Sequence, residues 1–301
     1  MNKKIIVSLS VVAAVAAITV GATTAFFSDT ETSTGNTFTA GAIDLKIDNE
    51  SYAIDYNIPG YDEPVGALVA SVNTSWSLTD LTIERFFNFI DLKPGDFGED
   101  TISIRVGSND AWLCASAQIT SDLDNTCTDP EDETLGELCT VAIPEGVANG
   151  FGELDSELKF LFWKDDGDNV LENCSEQTLG CEDETENIFI NGTLSDMGQQ
   201  GGIALADSQG GILGAGNPIP ASDTFHIGKA WCYGVLSQDP VEQDGLSTEG
   251  PLDGTPSPRG TGISCDGENV GNIGQTDSVV GDITFYAEQA RNNPTFTCDS
   301  L

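Results

Sequence analysis

Apolar and polar residues alternate with a period of two along much of this chain. Ile43, Leu45 and Ile47 are separated by Asp44 and Lys46, and Ile102, Ile104 and Val106 by Ser103 and Arg105. The same spacing recurs in Leu158-Phe160-Phe162, Ile188-Ile190 and Ile283-Phe285-Ala287, and Leu78 to Ile83 reads as a further extended piece. Side chains of a strand point alternately to its two faces, so each run predicts a half-buried β-strand. The runs are short and end at Gly, Pro, Asn or Asp, and long amphipathic helical patterns are scarce. Pro94-Gly95 suits a type II turn, whose third position takes positive φ cheaply in glycine. Many short strands with turn signals between them predict an all-β fold, a jelly-roll-like β-sandwich with long loop insertions.

Three stretches interrupt the alternation. They lie near 121–137, which is acidic, 198–216, rich in Gly and Gln, and 238–275, rich in Gly, Pro and Asp. Strand-like sequence resumes after each, so they are expected to decorate one domain spanning 42–301. The start of the chain differs. Lys3 and Lys4 precede an apolar run from Ile5 to Val20, and small residues follow from Gly21 to Ala25. That order is the layout of a helical signal peptide, 1–25, with cleavage expected between Ala25 and Phe26. The apolar run falls short of the roughly 20 residues a membrane span needs. Membrane contact is therefore expected only through the uncleaved leader, and the product is expected to be secreted or held at the cell surface.

Charge and cysteine content narrow the setting. The formal net charge is −38, and loss of Lys3 and Lys4 makes it more negative. Such a surface repels nucleic acid and anionic membranes. Eight cysteines follow the leader: Cys114, Cys127, Cys139, Cys174, Cys181, Cys232, Cys265 and Cys298. An even count in an exported chain predicts disulfides. Short loops favour Cys127–Cys139 and Cys174–Cys181, and Cys232–Cys265 and Cys114–Cys298 then complete the set. With no CxxC pair and a single histidine, a zinc cluster is not expected.

The segment Phe26-Phe27-Ser28-Asp29-Thr30-Glu31-Thr32, then Gly35 to Gly41, then Ile43-Asp44-Leu45 resembles the TasA/camelysin family of exported biofilm-matrix proteins, with their SipW-type signal peptides. Leu92-Lys93-Pro94-Gly95-Asp96 is similar to that family's strand-opening turn. Gln275 to Pro294 looks like the last strand of long, cysteine-bearing relatives. The resemblance is specific over the first 50 or so residues, and the cysteines and long loops depart from the short members. It implies a jelly-roll subunit that polymerises with copies of itself after a signal peptidase has released it. Segment 26–41 would enter the next copy as a donor strand, with Phe26, Phe27 and Phe38 as anchors in its pockets.

Candidate chemistry is sparse. His226 stands alone, which rules out HExxH, and no G-x-S-x-G elbow surrounds a serine. The sharpest metal candidate is Asp165, Asp166, Asp168, Asn169 and Glu172 around Gly167, an oxygen-rich bent loop of the kind calcium takes, though it lacks the EF-hand spacing. A weaker acidic group is Asp129, Glu131, Asp132 and Glu133. Sequons at Asn49, Asn73, Asn173 and Asn191 matter only in a host that glycosylates exported proteins. The expectation is a non-enzymatic fibre or matrix subunit. A monomeric calcium- or glycan-binding module is the alternative, and a secreted hydrolase the weaker one.

Overall fold

The computed structural model describes residues 28–30, 43–55, 67–125, 152–174, 183–212, 216–247, 250–253 and 258–300. The leader and its Ala25–Phe26 junction lie outside these residues, as do Phe26, Phe27, Phe38, Cys127, Cys139, Cys181 and the Asp129–Glu133 group. Among the described residues, no helix is long and apolar enough to cross a membrane.

The protein is an all-β sandwich. Its larger sheet is built on β2 (Leu45–Asp55), β3 (Ala67–Ala70), β4 (Trp76–Thr79), β5 (Phe97–Val106), β7 (Leu158–Asp165), β9 (Ile188–Thr193) and β11 (Thr224–Tyr233). The order is β3-β2-β5-β11-β7-β9, and β4 also pairs with β2. The smaller sheet runs β1 (Ser28–Thr30), β15 (Ser278–Gln289), β6 (Ala111–Leu123), β10 (Ile203–Ala206). All pairings in these two sheets are antiparallel. The chain crosses between sheets after β1, β5, β6, β9 and β10, and again before β15, which gives the fold its jelly-roll character. Short helices α1 (Leu154–Glu157) and α2 (Leu194–Gln199) sit at strand ends.

The main core lies between the sheets. Ile102 and Ile104, Phe160 and Phe162, and Ile227 and Trp231 face Leu113, Phe285 and Ala287 across it. Burying each large apolar side chain contributes roughly 1.5–3 kcal/mol. A second, smaller core covers the outer face of the larger sheet. There Leu161, Trp163 and Ala230 meet Leu171 and Ile263, which come from segments packed over that face. Both faces of β5, β7 and β11 are therefore covered.

That double coverage explains why β11 breaks the alternating pattern. Phe225, Ile227 and Trp231 face inward with Lys229, while His226, Gly228 and Ala230 face outward under the second core. Gly228 has to be glycine, because a Cβ there would lie 2.1 Å from the Trp163 ring that crosses it. The strand β6 is rich in Ala and Ser, so its own apolar alternation is weak.

Other boundaries shift as well. The extended piece expected at Leu78 to Ile83 is a strand only through Thr79, and Ile83 is exposed. The stretch 198–216 is not merely an insertion, since it supplies the sheet strand β10. The stretch 238–275 begins at the end of β12 (Val235–Gln238) and carries β13 (Val241–Glu242) and β14 (Ile263–Asp266). The strand β14 pairs with β12, and β13 runs parallel to β8 (Glu172–Asn173). The turn at Lys93–Asp96 forms as expected. Gly95 has φ +92°, and Asp96 N donates to Lys93 O at 2.9 Å.

Cys114–Cys298 and Cys232–Cys265 are disulfides. Cys174 is also disulfide-bonded, and no described cysteine is free.

Candidate metal centre and sheet edge

The expected calcium-loop residues converge where β7 ends. Asp165, the last residue of β7, points to the outer face of the larger sheet, and its Oδ2 accepts from Thr101 Oγ1 of β5 at 2.8 Å. The chain then turns through Gly167 at φ +115° and Asn169 at φ +66°. The turn returns Glu172 to β8, and the apolar Val170 and Leu171 anchor it from below, fully buried. Carboxylate oxygens of Asp165, Asp166 and Asp168 lie within 4.8 Å of one another, and so do those of Asp166, Glu172 and Glu184.

Two members were invisible in the local spacing. Glu184, in the 3-10 turn Glu184–Asn187 before β9, accepts from Asp166 N and Glu172 N, each at 3.0 Å. Arg259, from the 238–275 stretch, forms ion pairs with Asp168 and Glu172 and lies 3.4 Å from Asp244. A sequence signal for Arg259 existed. It is the only Lys or Arg between Gln238 and Gln275, set in an acidic stretch that leaves no shortage of counter-charges.

The electrostatics of the cluster are adverse to ionised carboxylates. Burial first, then neighbouring carboxylates, pushes Asp168 up to about 8 despite Arg259. Asp165 and Glu184 are raised by the same causes, and Glu172 rises through burial while Arg259 opposes. Beneath them Glu99 of β5 is fully buried and raised well above its ordinary value, chiefly by that burial, with Asp165 and Asp168 adding to it. His226 packs against Gly167, and its Nδ1 shares a hydrogen bond with Ser103 Oγ at 3.1 Å. Burial lowers its pKa.

The second feature is an edge. Ser28–Thr30 pairs with Tyr286–Glu288 of β15, antiparallel, at the border of the smaller sheet. The strand β15 is 12 residues long and pairs with β6 along its other side. On the β1 side, Ser278–Phe285 has no strand partner among the described residues.

These features define an all-β sandwich with a sheet edge that, among the described residues, only the N-terminal strand occupies, and an acidic loop centre on its outer face. Residues 1–101 match the family model described as camelysin metallo-endopeptidase. Over these residues the chain is similar to the TasA/camelysin-like family. Proteins of this family are of a secreted structural or matrix kind, typically exported or surface-associated. No curated protein matches the chain. The match takes in β1 to β4 and the first half of β5, and leaves the acidic loop outside it.

Proposed function

We propose that the protein is an exported subunit that assembles with copies of itself into an extracellular fibre or matrix filament, its N-terminal segment adding as a strand to the next copy. The observation that carries this is the pairing of Ser28–Thr30 on a β15 edge that continues from Phe285 back to Ser278 with no strand partner among the described residues. An open edge offers a row of backbone donors and acceptors that another strand can satisfy. The N-terminal segment reaches that edge in its own chain, so a neighbour's segment has the same chemistry for it. Export fits this scheme, because removal of residues 1–25 would free the segment only outside the cell.

The family description names a metallo-endopeptidase. The carboxylate cluster holds no histidine, and the sole histidine, His226, is bonded to Ser103 instead, which favours a structural role over a hydrolytic one.

The test is a variant beginning at Gly41, compared with mature protein beginning at Phe26. Electron microscopy and sedimentation should find filaments from the longer chain and folded monomers from the shorter. Filaments of equal abundance from both would refute donation by this segment.

A further inference from the structure

We infer that the Asp165–Glu172 loop, closed by Glu184, binds a hard divalent cation of calcium's size. The inference stands on atoms that lack partners. Asp165 Oδ1, Asp166 Oδ1, Asn169 Oδ1 and Glu172 Oε2 are buried and accept no hydrogen bond. The side chains of Asp165, Asn169 and Glu172 are only 4 %, 2 % and 0 % exposed. A buried acceptor left without a donor costs about 1–3 kcal/mol, more when charged, so several in one place call for an ion or water.

Charge decides between those two. Asp165, Asp166, Asp168, Glu172 and Glu184 crowd together, with Arg259 as the cation against them. Water supplies donors but no positive charge. A divalent ion supplies both what the four oxygens lack and what the carboxylates need.

The donor set selects the ion. Three carboxylate oxygens and one amide oxygen are hard ligands, with no thiolate or imidazole among them, which suits calcium and not zinc. Calcium's six to eight flexible ligands fit a loop bent through Gly167 and Asn169 better than the near-ideal octahedron of magnesium does. Arg259 plays a separate part. It comes from the covering stretch and holds Glu172 through Oε1, the oxygen beside the unpartnered Oε2, and Asp168 through Oδ2, while Asp168 Oδ1 accepts from Val170 N. Glu172 is thus shared between the guanidinium and the proposed ion, so the ion fastens the cover of the second core to β7.

The centre belongs to the larger sheet and the β15 edge to the smaller, so the cation site can stand or fall independently of strand donation. The test uses the mature chain, stripped with a chelator and held at fixed ionic strength. Terbium, a calcium-sized probe, should show emission sensitised through Trp163, two residues before Asp165, and calcium should quench it by displacement while magnesium does not. Saturating calcium should raise Tm by about 5–10 °C. Asp166→Asn with Glu172→Gln should lose both responses. Arg259→Gln should melt lower without calcium and recover with it. If those variants fail to fold, the terbium displacement on the unaltered chain decides. No sensitised emission, an equal response to magnesium, or an equal Tm rise in the folded Asp166→Asn, Glu172→Gln protein would overturn the site and leave only screening of the acidic surface.

Discussion

Lys229 sits in the middle of the main core with its ammonium 2.8 Å from Asp100 Oδ2, both side chains fully buried. Asn49 Nδ2 donates to Asp100 Oδ1 at 2.9 Å, and the Phe87 ring lies 3.8 Å from the ammonium. Burial pulls the Lys229 pKa down, and Asp100 opposes that pull. A buried ion pair adds little net stability, but breaking it strands one charge. Lys229→Ala should therefore destabilise by about 3–5 kcal/mol in urea unfolding. Lys229→Met with Asp100→Asn should recover most of that loss, since neither residue then carries charge. Asp277 gives the pH counterpart. Burial raises its pKa from 3.8 to about 7, against hydrogen bonds from Glu153 N and Leu154 N. The folded state thus holds the proton more tightly than the unfolded chain does. The stability this contributes is complete below about pH 4 and is lost as pH rises through about 7. Asp277→Asn should remove that slope. Its stability relative to the parent should grow by about 1–2 kcal/mol between pH 4 and pH 8, less than the full shift implies because the side chain is partly exposed and screened. An unchanged difference across that range would contradict the assignment.

At the scale of elements, the bridges hold what hydrogen bonds hold weakly. Cys114–Cys298 fastens the C-terminal tail to β6, where Trp112 Nε1 also donates to Asn293 O at 2.7 Å. Cys232–Cys265 joins the end of β11 to β14, the short strand that opens the tail end of the covering stretch. Closing a loop restricts the unfolded chain, so removing each bridge should cost about 2–5 kcal/mol. The pair Cys232→Ala, Cys265→Ala should loosen the second core first. Hydrogen exchange should rise at Ile263 and Leu171 before it rises at Ile104. Thiol titration of the unreduced protein should find no free sulfhydryl, and two or more reactive thiols would sink the fully bridged reading. The missed strand β11 belongs to this scale too. Its Gly228-Lys229 step spoils the apolar alternation, yet both residues are required by partners that are remote in sequence: Trp163 crossing above, and Asp100 beside.

For the whole molecule, the net charge of −38 opposes association of copies, so assembly should strengthen with salt or divalent cations. A synthetic peptide of residues 26–40 added to the variant beginning at Gly41 should raise its Tm, because the peptide fills the β15 edge and binds only the folded form. A scrambled peptide that works equally well would point to non-specific contact. As to what was legible from the start, period-two patterning was sufficient for the all-β class and for strands such as β5 and β7, since alternation is a local property of a sheet with a buried face. The N-terminal resemblance was legible for the same reason, being contiguous. The Asp165–Glu172 loop was readable because most of its oxygens lie within one turn of chain. Glu184, Arg259 and Thr101 were not, because a carboxylate, a guanidinium and a hydroxyl carry no mark of the partner that folding brings beside them. The same holds for β11, whose identity depends on being covered from both faces. Chain-local chemistry was therefore decided by the sequence, and the closing of the acidic centre and the position of the β15 edge only by which strands the tertiary structure set side by side.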